Sequence, residues 1–332
     1  MTLLDPEWLE VGQEDALETD LEICDPHHHH WDRPDGRYMR EELALDLKGH
    51  AVRKTVFVEC GSSYFTKGLE SLRPVGETEF IQTLADQRLD DQDGGGLSAG
   101  IVGHADLLLG SRVAEVLEAH LTASPERFRG IRHSAAWHPS PEIRPSHSDP
   151  PPHMLTLEAF RDGFAQLSNY GLSFDAWLFH TQLDELYDLA RDYPDTLIVL
   201  NHMGGPLGIG PFAGRRGEVF SEWKLGMARL AECENLVVKL GGLQMAISGF
   251  GWHEQERPPT SVDLLEALAP YYTECIENFG VDRCMFESNF PVDKVSCSYT
   301  VLWNFFKRLT VGYSDSEREA LFHHTAERVY RI

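Results

Sequence analysis

Along most of the chain, short β-branched and apolar runs alternate with longer stretches whose apolar residues recur three and four positions apart. The short runs read as strands at 21–25 (LEICD), 55–60 (TVFVEC), 98–106 (SAGIVGHAD), 128–133 (FRGIRH), 172–180 (LSFDAWLFH), 196–202 (TLIVLNH), 235–242 (NLVVKLGG) and 283–289 (RCMFESN). Between them, GETEFIQTLADQRLD, SRVAEVLEAHL, LTLEAFRDGFAQLSNY, TQLDELYDLARDYP and SVDLLEALAPYYTECIENF carry the stripe of amphipathic helices. Such alternation implies right-handed βαβ units and a parallel sheet. Eight units predict an α/β fold of the closed (β/α)8 TIM-barrel type, as one domain over residues 21–332. A doubly wound sheet would need a GxGxxG turn after its first strand, and none is there. The Gly94–Gly95–Gly96 run follows an acidic helix end and reads as a flexible turn.

Two stretches interrupt the alternation, 138–153 (HPSPEIRPSHSDPPPH) after the fourth strand and 204–217 (GGPLGIGPFAGRRG) after the sixth. Both belong to the strand-exit face, where long loops serve as lids or binding loops. Residues 1–20 form a polar leader, expected to cap the barrel floor or drape over a neighbour.

Polar residues collect where a barrel keeps its chemistry. The first strand runs into Asp25-Pro26-His27-His28-His29-His30-Trp31. Alternate side chains of an extended chain share a face, so His27 and His29, or in the opposite register His28 and His30, point together into the mouth. Two neutral imidazoles so placed suit one divalent cation, zinc first among them. Further strands end at Glu59, Arg132-His133, His180 and His202, and the seventh carries Lys239. The eighth holds Glu287 and Asn289, two apart and so on one face. Each alone is an ordinary packing or pairing residue; their shared placement at strand ends points to a site.

Composition narrows the partners. The 332 residues include 29 basic and 53 acidic side chains, a formal charge of −24, which argues against nucleic acid and anionic membranes and for a small-molecule substrate. No apolar run reaches the roughly 18 residues of a membrane span. The first residues lack the basic and apolar regions of a secretory signal, and the six cysteines include no CxxC pair, so a cytoplasmic protein with reduced thiols is expected. A homo-oligomer is compatible with all of this.

With these blocks assembled, the chain resembles the amidohydrolase superfamily, in particular the branch containing 2-pyrone-4,6-dicarboxylate lactonase and the sugar-acid lactonases. The matching segments are ICDPHHHHWD, FRGIRH, LFHTQL, LNHMGGP, VVKLGG and CMFESNFPVDK, in the family's order from about Leu21 onward. The resemblance implies a hydrolase of a small organic acid derivative, foremost a lactone, that activates water at the barrel mouth. It implies one divalent ion or none, on His27, His29 and His180, with His202 at the attacked oxygen or the water. Arg132 would hold a carboxylate or carbonyl of the substrate, and Glu59, Lys239, Trp31 and Trp137 would complete the substrate-binding set, with Tyr64 and Phe290 as further apolar walls. The fourth strand lacks the family's bridging lysine or glutamate, which limits the mouth to one metal. Asn289 stands where the family has a catalytic aspartate, and an amide takes no proton near neutral pH. That leaves Glu287 or Glu59 to accept it. A metal-dependent decarboxylase and a non-catalytic ligand-binding barrel are the alternative classes.

Overall fold

The computed structural model describes residues 6–34, 36–87 and 96–332. Eight parallel strands follow one another around the sheet in sequence order. They are β1 (Glu22–His28), β2 (Ala51–Val58), β3 (Gly100–Gly103), β4 (Phe128–Ile131), β5 (Ser173–Ala176), β6 (Ile198–Leu200), β7 (Leu236–Leu240) and β8 (Cys284–Phe286). This is the expected (β/α)8 barrel. Several strands stop short of the apolar runs that signalled them: the third run spans 98–106, yet only Gly100–Gly103 is in the ladder. Beyond each strand the chain turns irregular, and those segments build the mouth. Gly94 and Gly95 of the expected glycine turn lie outside the described residues.

The seam between β1 and β8 is not a regular ladder. It is closed just past the end of β8, where Asn289 N donates to His27 O at 2.9 Å and His29 N to Phe290 O at 2.8 Å. The buried Asp25 carboxylate adds a bond from Ser288 N at 3.0 Å and one from Tyr299 Oη at 3.1 Å. The desolvation of Asp25 raises its pKa to about 6 against these bonds.

Inside the barrel, Cys24, Val56, Val58, Val102, Val199, Val237 and Met285 form an apolar plug closed by Val329 and Tyr330 of the last helix, Thr325–Tyr330. Above the plug lies a fully buried ion pair, Lys239 Nζ to Asp175 Oδ2 at 2.7 Å. Asp175 also accepts from Tyr330 Oη at 2.9 Å and Asn201 Nδ2 at 3.0 Å, so the pair is well satisfied. The leader runs along the outer helices: Glu14 accepts from Ser261 N at 2.7 Å, and Leu17 N donates to Asn304 Oδ1 at 2.9 Å. All six cysteines are buried free thiols.

Candidate active site

The register of the histidine tract resolves at the mouth. His27 and His29 turn inward, with their Nε2 atoms 3.2 Å apart. His28 and His30 turn outward against Phe57, and His28 Nε2 meets Thr55 Oγ1 at 2.9 Å. His29 is fixed from behind by Nδ1, 2.8 Å from Val58 O, which leaves Nε2 for the interior.

Glu287 lies at the centre, fully buried, between two of these rings. Its Oε1 accepts from His202 Nδ1 at 2.6 Å and from His202 N at 3.1 Å. Its Oε2 lies 2.7 Å from His27 Nδ1 but makes no hydrogen bond there, an orphaned buried oxygen. His27, His202 and Glu287 thus form a cluster of metal-ligating type, their donor atoms within 4.8 Å of one another. Burial pushes His27, His29 and His202 below the ordinary imidazole pKa, and at His202 the Glu287 carboxylate partly offsets it. All three are therefore neutral at neutral pH, the form that binds metal or accepts a proton.

The backbone is arranged for this contact. Gly241 and Gly242 follow β7, and a Cβ on Gly241 would fall 2.4 Å from Glu287 Cγ. His202, with φ 54°, begins a left-handed run through Met203, Gly204 and Gly205 that swings its ring inward from the end of β6. Such conformations in non-glycine residues cost about 1–3 kcal/mol and persist where the surroundings enforce them. Asn289 shares the property, with φ 55°. Its Nδ2 donates to the buried Asp293 at 2.8 Å, which turns Oδ1 outward as an acceptor at the cavity wall.

A cavity of about 260 Å³ opens over these groups, lined by His29, Trp31, Arg33, Cys60, Arg132, His147, Trp177, His202, Met245, Asn289, Pro291 and Val292. Glu287 is fully buried behind that lining. Arg132 Nε donates to Glu59 Oε1 at 2.6 Å and its Nη2 to Glu59 O, leaving only Nη1 beside His27 Nε2 at 3.3 Å. Its two-pronged fork is therefore spent on Glu59, and it does not present one to a carboxylate. Burial works to raise the Glu59 pKa, but Arg132 and then His147 hold it below the ordinary carboxylate range.

Other expected residues stand elsewhere. His180 leaves the sheet after β5; its Nδ1 accepts from Leu207 N at 3.3 Å and its ring packs on Phe212. The structure thus ties His180 to the 204–217 loop rather than to His27 and His29. Trp137 packs against His153 and Phe290 is buried against Tyr299, neither lining the cavity. Tyr64 lines a neighbouring cavity with His104 and Arg73. Lys239, in its interior pair, approaches His27 Nδ1 at 3.4 Å but does not reach the cavity.

Three further lining residues bear on the chemistry. Trp177 packs edge-on against His202, ring centroids 4.8 Å apart. His147 descends from the proline-rich loop to Glu59 Oε2 at 2.9 Å. Arg33 stacks over Trp31 at 4.6 Å and donates to Cys60 O, with no carboxylate partner among the described residues. The position of the 138–153 insertion at the exit face was the one available hint for His147.

A closed parallel barrel with histidines, a carboxylate and guanidinium groups gathered at its strand-exit face defines the class. Residues 24–332 match the Amidohydrolase family, and the chain belongs to it as a hydrolase. It is 35% identical to an uncharacterized Sinorhizobium fredii protein, y4mH, over 95% of this chain and 100% of that protein. It is 30% identical to an L-fucono-1,5-lactonase of Burkholderia ambifaria over 67% of each chain. A Burkholderia multivorans amidohydrolase crystallised with bound zinc superposes with a TM-score of 0.71 at 22% identity, covering 93% of this chain and 99% of that one. No helix among the described residues is long and apolar enough to cross a membrane.

Proposed function

We propose that this hydrolase opens a small lactone, with His202 taking the proton from the attacking water. The observation that carries this reading is the 2.6 Å bond from His202 Nδ1 to the buried Glu287 Oε1, which leaves Nε2 as the basic nitrogen of a ring lining the cavity. Glu287 fixes the tautomer and stabilises the imidazolium that forms, the part a buried carboxylate plays behind a catalytic histidine. Asn289 Oδ1 accepts a hydrogen from the water or a substrate hydroxyl, and Arg132 Nη1 faces the developing oxyanion. Protonated His202 then returns its proton to the departing ring oxygen.

The substrate class follows from the walls. A space of about 260 Å³ with Trp31 and Trp177 as apolar faces and several donors between them suits a compact, hydroxyl-bearing ring. The relative named as an L-fucono-1,5-lactonase supports a sugar-acid lactone. Arg33, free of any carboxylate among the described residues, would hold a carboxylate carried besides the ring ester, or the one released when the ring opens.

The mouth also fits one divalent ion. The 3.2 Å separation of His27 and His29 Nε2 is close to the roughly 3.3 Å between two nitrogen ligands of a tetrahedral cation. Glu287 Oε2, 2.7 Å from Nδ1 on the far side of the His27 ring, would orient that ring from behind. Bound there, such an ion would polarise the lactone carbonyl and acidify water. The zinc-bound Burkholderia multivorans structure supports zinc.

The test is acid release from five- and six-membered sugar-acid lactones by chelated protein, before and after titration with zinc, manganese or cobalt. Turnover of at least one lactone, with any metal effect complete at one equivalent in the mouth, is expected. Carbon dioxide release from aromatic acids without lactone opening would overturn the reading in favour of a decarboxylase.

A further inference from the structure

We propose that His323, His324 and Glu327 form a second, peripheral site for a divalent transition-metal ion, at the strand-entry end of the barrel. The site is built by a break in helix geometry. Residues Ala320–His324 make a π-helical turn between Asp315–Glu319 and Thr325–Tyr330. Consecutive side chains of an α-helix diverge by about 100°, so neighbouring histidines ordinarily point apart. The wider π turn advances less per residue, and here the two rings come together, with centroids 3.9 Å apart. Glu327, one turn further on, brings Oε2 to 3.9 Å from His323 Nδ1. The three donor atoms lie within 4.8 Å of one another.

The turn is held in place rather than free to relax. Leu321 and Phe322 are fully buried, and the Phe322 ring packs on Phe286 at 4.9 Å, so the histidines beside it are aimed outward. Glu327 is oriented from behind: Lys54 Nζ binds its Oε1 at 2.9 Å and is itself held by Ile332 O at 2.8 Å. That leaves Oε2 for a ligand, as an outer partner does for a metal-binding carboxylate. The chain's −24 charge adds to the attraction for a cation. Two imidazoles and one carboxylate match zinc, nickel or copper rather than magnesium or calcium. The ion would act as a local clamp on the last helix, whose Tyr330 closes the barrel floor.

The experiment is calorimetric titration of metal-stripped full-length protein with zinc chloride, comparing wild type with His324→Gln and Glu327→Gln. Thermal melts and turnover are measured on the same samples. The expected result is a stoichiometry lower by one zinc in both variants, or a loss of affinity of tenfold or more. Zinc would raise the wild-type midpoint by about 2–4 °C more than that of either variant, and turnover would stay within twofold. Identical isotherms and melts in all three proteins would overturn the proposal. So would a loss of turnover in step with the lost zinc, which would assign that ion to the mouth. Glu327→Gln retains an oxygen for Lys54, so a failure of that helix to fold is separable by the unchanged melt in chelator.

Discussion

Gly242 lies flat against the imidazole of His202: at φ 76°, a Cβ there would come 2.6 Å from His202 Cγ and 2.7 Å from Nδ1. The contact fixes where the proposed base stands. Gly242→Ala would combine a strained left-handed alanine with a displaced ring, and a misplacement of about 1 Å costs on the order of 100-fold. The expected outcome is a folded protein by circular dichroism with kcat reduced about 100-fold. Full activity in this variant would remove His202 from the chemistry.

His202 and Glu287 act as one unit in the proposed reaction. His202→Gln and Glu287→Gln are each expected to lower kcat about 10²–10⁴-fold, and the double variant no further. Steady-state kinetics on a lactone substrate checks this. Losses that multiply would mean that Glu287 takes protons independently of His202.

The two guanidinium groups at the mouth have different duties. Arg33→Gln should raise KM for a carboxylate-bearing lactone about tenfold, with little change for a neutral one. Arg132→Met should instead strand the buried Glu59 carboxylate and lower stability by about 3–5 kcal/mol, read from denaturant unfolding. A KM effect confined to Arg132 variants would exchange these roles.

Glu77 lies beneath the same loops, its Oε1 accepting from Ser62 N at 2.7 Å and Cys60 N at 3.2 Å. Burial, and then Glu59, raise its pKa from 4.5 to about 8. A folded-state pKa above the unfolded value contributes stability that is present below about pH 4.5 and lost as pH rises through about 8. Glu77→Gln should therefore flatten the decline in stability across that window. Denaturant midpoints measured between its two ends decide it, and parallel profiles for both proteins would refute the assignment.

The barrel was legible because it rests on periodicity; that alternate histidines share a face was legible too, but not which pair turns inward. Eight apolar runs marked the strands, and the alternation of an extended chain put His27 and His29 on one face. Asn289 and Glu287 were legible as polar residues at the end of the last strand, but the ladder stops at Phe286 and their separate partners, Asp293 and His202, were not. That Arg132 spends its fork on Glu59, or that Lys239 pairs with Asp175 in the interior, depends on which strands become neighbours in space. The surroundings of His180 were not legible because the ladder ends at Ala176, and an irregular chain carries no side-chain phase across the next four residues. Arg33 ends the short strand Trp31–Arg33, paired antiparallel with Gly36–Tyr38 outside the barrel ladder, and His147 and Trp177 stand on irregular segments, which pattern alone does not orient. Gly241 and Gly242 were visible in the sequence, but their meaning required the side chains packed onto them.

The seam between the first and last strands has a practical consequence. Asp25, His27 and His29 stand on one side of it and Ser288, Asn289 and Phe290 on the other, so the bonds that join the chain's two ends also set the spacing of the proposed catalytic groups. Turnover is then a reporter of ring closure: a circular permutant with new termini in the 204–217 loop should assemble this junction and work. One that opens the chain between residues 287 and 291 should bind its own halves loosely and fall silent before its helices melt.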